Sequence, residues 1–180
     1  MIIKPDNEML SYSGRIDFDD RLAPVLVYAC SSIGMKFTGT SLKAVIANHR
    51  SCWTNELGYF IDGEQKRFTL SSDEEKKTYT LAEGLSEGTH ELLLFKRMDS
   101  CHTFTFYGFE IDDGAEVLPL PEKPKRKMEF FGDSVSCGEV SEAVAYVGKP
   151  DPEHDGEYSN SWYSYAWMTA WKLNAQMYDT

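Results

Sequence analysis

Cysteine is scarce in this sequence: four residues, at positions 30, 52, 101 and 137, with no C-x-x-C pair among them. That spacing excludes a zinc framework and a disulfide-dense scaffold. Reduced thiols in a cytoplasmic protein are the simplest reading. Long apolar runs are missing too, and nothing approaches the ~18 residues of a membrane-spanning helix. The opening MIIKPDNEML has two isoleucines and then Lys-Pro-Asp-Asn-Glu, which is not a signal peptide. As written the chain reads as cytoplasmic; a secreted protein whose leader had been removed would read the same way. Positive charge is short, with 18 Lys and Arg against 29 Asp and Glu and a net charge of −11. Such a surface repels phosphate, so nucleic acid and anionic membrane are excluded as partners.

What is present is the composition of a folded protein. Of the 180 residues, 42% are hydrophobic and 13% aromatic, which argues against disorder. Residues 1–118 have the grammar of β-structure, with short apolar runs separated by turn signals. SLKAVIAN (41–48), KKTYTLAEGL (76–85) and THELLLFKRM (89–98) are such runs. HTFTFYGFEI (102–111) alternates Thr with aromatics, as a half-buried strand should. Asp62-Gly63, inside LGYFIDGEQKRFTL (57–70), predicts a hairpin, because both central positions of a type I′ turn need φ > 0. This spacing, without a convincing helix, predicts a jelly-roll sandwich over 1–118.

A break follows. VLPLPEKPKRK (117–127) carries three prolines and four basic residues and reads as a linker, assigned to 119–127. The grammar then changes over 128–180. MEFF (128–131) is a short apolar run ending in Gly132-Asp133-Ser134. An acidic stretch comes next, with Glu139, Glu142, Asp151, Glu153, Asp155 and Glu157 against Lys149 alone, and it reads as a solvated loop. EYSNSWYSYAWMTAWKLNAQ (157–176) predicts a helix capped by Ser159, Asn160 or Ser161 and apolar round enough of its circumference to be buried. NAQMYDT then predicts a second strand. Strand, loop, helix and strand open an α/β fold. One such unit cannot cover its sheet on both faces. The chain therefore reads as the front part of a longer protein, or as one completed by self-association or a second chain.

Ser134 is the residue that could carry chemistry. At a strand end it could present its hydroxyl and backbone N–H to a substrate, with Gly132 allowing a tight turn; equally, Asp-Ser-x-Ser is ordinary turn chemistry. A serine nucleophile needs a base within reach. Of the four histidines, His90 and His102 begin strands and read as structural, and His49 sits in a turn-like stretch. His154, in the acidic loop, is the one that could approach Ser134. Cys137 reads as a small buried thiol, and no ligand spacing supports a metal site. Trp162, Trp167 and Trp171 read first as core; of the three, Trp162, nearest the helix start, is the one best placed to line a cleft. Trp53, Tyr59 and Phe60 could line a sugar-binding sheet face.

GDSVSCG (132–138) resembles the first conserved block of the GDSL, or SGNH, hydrolases. SYSGRIDF (11–18), IGMKFTGTSL (33–42), GYFIDGE (58–64), LAEGLSEGTHELLLFKR (81–97) and FTFYGFEIDDGAEVL (104–118) resemble the jelly-roll domain that precedes the catalytic domain in carbohydrate esterase family 2. The resemblance spans nearly the whole chain. It implies an acetyl xylan esterase-like enzyme that removes O-acetyl groups from plant polysaccharides or sugars, with acetylated carbohydrate as partner and no cofactor or metal. It implies Ser134 as nucleophile, Gly132, Asp133 and Ser134 as the nucleophile loop, and the Ser134 N–H as an oxyanion donor. The 128–180 segment would be the truncated first part of a flavodoxin-like SGNH domain. The family's further Gly, Asn and His blocks have no counterpart here, so the 180-residue chain alone is expected to be inactive. The other reading is a non-catalytic carbohydrate-binding or interaction module.

Overall fold

The computed structural model describes residues 1–180. In chain order the strands are β1 (Ile2–Ile3), β2 (Ser11–Ser13), β3 (Ile16–Asp17), β4 (Val25–Leu26), β5 (Ser32–Thr38), β6 (Leu42–Arg50) and β7 (Glu56–Ile61). They continue with β8 (Glu64–Thr69), β9 (Lys77–Ala82), β10 (Thr89–Lys96), β11 (His102–Ile111), β12 (Val117–Leu118), β13 (Arg126–Phe130) and β14 (Ala175–Asp179), with helix α1 (Tyr165–Lys172) before the last. Two antiparallel six-stranded sheets form a jelly-roll-like sandwich. One has the order β3-β4-β11-β6-β9, with β1 also on β11; the other has the order β12-β5-β10-β7-β8, with β2 also on β5. No helix is long and apolar enough to cross a membrane.

Alternation builds the sandwich. In β10, His90, Leu92 and Leu94 point inward while Thr89 and Glu91 face out. Inward side chains from both sheets meet in a core of 20 buried residues that includes Ile33, Met35, Phe37, Ile46, Leu94, Phe104, Phe106 and Phe109. The β7–β8 hairpin turns at Asp62 (φ 51°) and Gly63 (φ 84°), both left-handed as the turn type requires. β11 bulges between Phe106 and Gly108. Gly108 (φ 125°) has no room for a side chain, because a Cβ there would stand 2.4 Å from the Ile3 carbonyl oxygen. The bulge thus lets β1 lie against β11.

β13 and β14 form a separate parallel pair, in register Met128↔Met177, with α1 on the connection between them. β13 already starts at Arg126, so strand structure takes over two residues of the segment assigned as linker. The rest of that segment is tethered: Gln176 Nε2 donates to the Pro124 carbonyl at 2.7 Å, and Lys123 Nζ donates to the Tyr12 carbonyl. A second core of seven buried residues joins this unit to the sandwich. It brings Ala29, Cys30 and Phe95 against Ala166, Trp167, Ala170 and Met177.

The helix differs from its expectation in two ways. It is interrupted: a 3-10 turn covers Ser161–Tyr163, and α1 begins only at Tyr165. The reason is two capping residues four apart. Asn160 accepts the Trp162 N–H at 3.1 Å, and Ser164, in extended backbone, accepts the Trp167 N–H at 3.1 Å. Each starts its own turn. The helix is also not buried all round, since Ala166, Trp167 and Ala170 are covered while Tyr165, Met168 and Trp171 are exposed. Asn174 (φ 48°) ends it in the left-handed region.

Candidate functional site

The loop after β13 is held by its own backbone. Gly132 N–H donates to the Thr180 carbonyl at 3.1 Å, which ties the loop's start to the end of β14. Asp133 organises the next turn. Its Oδ1 accepts the Val135 N–H at 3.0 Å, and its carbonyl accepts the Cys137 N–H at 3.2 Å and the Ser136 hydroxyl at 2.8 Å. Gly132 has to be glycine here, because a Cβ would stand 2.5 Å from Ser136 Oγ, which closes that turn. Ser134 lies at the loop's apex and is exposed. Its carbonyl accepts the Glu139 N–H at 3.0 Å, while neither its N–H nor its hydroxyl has a hydrogen-bond partner.

Ser134 opens on a cleft of about 550 Å³, lined also by Gly138, Glu139, Ser141, Asp151, His154, Tyr163 and Tyr165. His154 therefore shares the cleft with Ser134, but its ring is committed elsewhere. Nδ1 accepts the Gly156 N–H at 3.0 Å, and the ring lies 4.7 Å from that of Trp53. A neutral imidazole whose Nδ1 accepts carries its proton on Nε2, so neither nitrogen is free to take a serine proton. The other histidines belong to the sandwich. His90 pairs with Asp62 at 2.6 Å and His102 with Asp99 at 3.1 Å. His49 lies in β6, which runs two residues past its predicted end, and its Nε2 meets Thr105 Oγ1 at 3.0 Å.

Trp162 is not in this cleft. The 3-10 turn aims it at the second core, where its ring stands 4.5 Å from Phe60 and 4.9 Å from Trp167. Trp162, Trp167 and Trp171 instead line a small apolar hollow of about 160 Å³ with Tyr163 and Met168. The rings at the Ser134 cleft are Tyr163 and Tyr165. Tyr59, also considered for sugar binding, is buried, with its hydroxyl donating to the Leu81 carbonyl at 2.9 Å.

Beneath the loop lies a buried polar floor that sequence reasoning missed. Lys96 is fully buried and donates to the Met98 carbonyl at 2.5 Å and to the Asp99 carbonyl, and desolvation pushes its pKa down to about 7. Asp179, at the end of β14, is buried and shifted upward by desolvation. Cys137 donates to Asp179 Oδ2 at 3.6 Å, and burial, then the Asp179 charge, pushes its thiol up to about 12. Burial likewise raises Cys30. These thiols stay protonated and are poor nucleophiles.

The acidic stretch is not all solvated. Arg97, buried like Lys96, reaches Glu142 Oε2 at 2.7 Å and donates through Nε to the Ser159 carbonyl at 3.0 Å. Asn160 Nδ2 donates to Glu142 Oε1 at 2.7 Å, and Ser161 Oγ donates to the Lys96 carbonyl at 2.7 Å. The end of β10 is thus clamped to the loop that forms one wall of the cleft. The signal available in the sequence was two consecutive cations closing an apolar strand, HELLLFKR. A solvated strand end would have looked the same.

Comparison with known proteins places these features in a family. The chain is 33% identical over 171 residues to the cellulase/esterase CelE of Acetivibrio thermocellus, covering 94% of this chain and 20% of that protein. It is 27% identical over 154 residues to an acetylxylan esterase/glucomannan deacetylase of Cellvibrio japonicus, covering 82% of this chain and 41% of that protein. A solved family two carbohydrate esterase from Clostridium thermocellum, in complex with cellohexaose, superposes with a TM-score of 0.83 at 30% identity, over 94% of this chain and 50% of that one. The chain thus spans half or less of the length of each. Residues 12–121 match the family described as Carbohydrate esterase 2 N-terminal, and the chain belongs to it.

Proposed function

We propose that this chain is the N-terminal portion of a carbohydrate O-acetyl esterase, in which Ser134 is the nucleophile. The observation that carries the reading is Ser134 itself. Its hydroxyl and N–H are both unpartnered at the mouth of a cleft, on a loop closed by Asp133 and Gly132, in a chain whose preceding residues match this esterase family. In the whole protein the Ser134 hydroxyl attacks the acetyl carbonyl and an acyl-enzyme forms. The Ser134 N–H then faces the developing oxyanion, where one such donor is worth ~2.7–4 kcal/mol. Water releases acetate and restores the serine.

On this reading residues 1–118 are a jelly-roll domain, 119–127 a tethered connection, and 128–180 the first part of an SGNH-type α/β domain. The parallel β13–β14 pair and its connecting helix support that assignment. The base lies outside these 180 residues, since the partners of all four histidines keep them from Ser134. The substrate class is acetylated carbohydrate. The test is hydrolysis of 4-nitrophenyl acetate and of acetylated xylan. The whole protein should release acetate and Ser134→Ala should abolish it, while the 180-residue chain alone should show no steady turnover. Turnover by the short chain that disappears with Ser134→Ala would place a base within it and refute this part.

A further inference from the structure

Beside the Ser134 cleft, where the Trp53 ring meets that of His154, two turns sit side by side. The β6–β11 ladder ends at the register pair Arg50↔His102. Beyond it both chains turn; Ser51 Oγ lies 3.7 Å from Cys52 Sγ, and the Cys101 thiol is close enough to feel both Ser51 and Cys52, so the two sulfurs are neighbours. Both thiols are free and exposed. The two turns are pinned. Arg50 donates to the Cys52 carbonyl at 2.9 Å, and Asp99 Oδ1 accepts the Cys101 N–H at 3.0 Å.

His102 lies between them. Its Nδ1 is 3.1 Å from Asp99 Oδ1 and its Nε2 is 3.7 Å from Cys52 Sγ. The ring is buried, with Trp53 stacked on it at 6.3 Å and 12°. An Asp99 carboxylate on Nδ1 holds the proton there and leaves the Nε2 lone pair facing the thiol. Thiol, imidazole and carboxylate in that order are what activates a cysteine. Both sulfurs are exposed, so the geometry suits reaction with another sulfur. Cys101 has the opposite setting, since the Asp99 charge, then burial, raises its pKa.

We propose that Cys52 and Cys101 form a reactive dithiol that exchanges with small-molecule disulfides, with Cys52 attacking through His102 and Cys101 resolving. The Cys52 proton moves to His102 Nε2, and the sulfur attacks one sulfur of R–S–S–R. That S–S bond breaks, and the leaving thiolate takes the proton from His102. The Cys101 sulfur then attacks Cys52 Sγ, the mixed disulfide breaks, and a second R–SH leaves with the Cys101 proton. The protein gives up two electrons and two protons and gains one S–S bond; the small disulfide is reduced to two thiols.

The experiment treats the native 180-residue chain with oxidised glutathione and follows free thiols and intact mass. Two of the four thiols should disappear with a mass loss of two hydrogens, and peptide mapping should join Cys52 to Cys101. Cys101→Ala should stop at a stable glutathione adduct on Cys52. In the unsubstituted chain, iodoacetamide should label Cys52 at least ~10-fold faster than Cys101, and His102→Gln should narrow that ratio. Four thiols left free overturn the proposal. So does glutathione adding to Cys101 in Cys52→Ala as fast as to Cys52 in Cys101→Ala.

Discussion

Replacing Lys96 by Met should remove a large pH dependence of stability. The ammonium group is fully buried at the end of β10, and desolvation takes its pKa from 10.5 to about 7. Between those values the folded chain has released this proton while the unfolded chain still binds it. The unfolded state therefore holds more protons, and stability rises with pH across the window. Each pH unit is worth about 1.4 kcal/mol, so the wild type should gain up to about 5 kcal/mol relative to Lys96→Met between pH 7 and 10.5. The Met98 and Asp99 carbonyls favour the charged form, which makes that figure a ceiling. Methionine has similar length but leaves both carbonyls without a donor. That costs about 1–3 kcal/mol for each, independent of pH, and offsets the curves without tilting them. The raised Cys30 and Cys137 thiols tilt both proteins the other way above pH 9, and largely cancel in the difference. Urea unfolding at several pH values, read by fluorescence of Trp162 and Trp167 beside Phe95, measures the difference. Curves that stay parallel within about 1 kcal/mol from pH 7 to 10 would refute the reasoning and mean that Lys96 stays charged in the fold.

Two further outcomes follow from the same structure. Gly58→Ala places a Cβ 2.1 Å from the Phe95 ring, so it should lower stability by about 1–3 kcal/mol, seen as a drop in Tm; an unchanged Tm would mean that Phe95 moves freely. Asp62→Asn should destabilise most between about pH 4 and 6.5. The Asp62 hydrogen bond raises His90, so that contribution is present below the ordinary 6.5 and fades above it. Burial opposes ionisation of Asp62, but bonds from His90 and the Glu91 N–H outweigh it and lower its pKa, so its contribution is present above 3.8 and lost in acid. Thermal melts across that range should show the two proteins converging at both ends.

The legible parts of the fold are those decided within a few residues. The 62–63 hairpin was readable because left-handed backbone at two adjacent positions narrows the choice to residues such as Asp and Gly. The alternation of HTFTF was readable because strand side chains point to opposite faces. The final strand was expected from NAQMYDT, the segment that follows the helix pattern, and it forms at Ala175–Asp179. The helix was misread where two local signals competed: Asn160 and Ser164 both cap, and the periodicity of the tryptophans hides the break between them. Once the turn breaks at Ser164, Trp162 no longer shares a helical face with α1, and it points to Phe60 rather than to the Ser134 cleft.

By itself the sequence determined the strands within 41–48, 57–70, 76–85, 89–98 and 102–111, the turn at Asp62-Gly63, and the Gly132-Asp133-Ser134 stretch following an apolar run, because each follows from local propensity and periodicity; β1 to β5 and β12 carried no such signal. Only the tertiary structure decided that His154 shares the cleft of Ser134 with its Nδ1 already engaged. It also decided that Lys96 is buried and that Arg97 meets Glu142, 45 residues away. A charged side chain at a strand end is solvated or buried according to what the rest of the chain lays over it. That covering is made by segments distant in sequence, here the loop from Glu142 to Ser161 folded onto the end of β10.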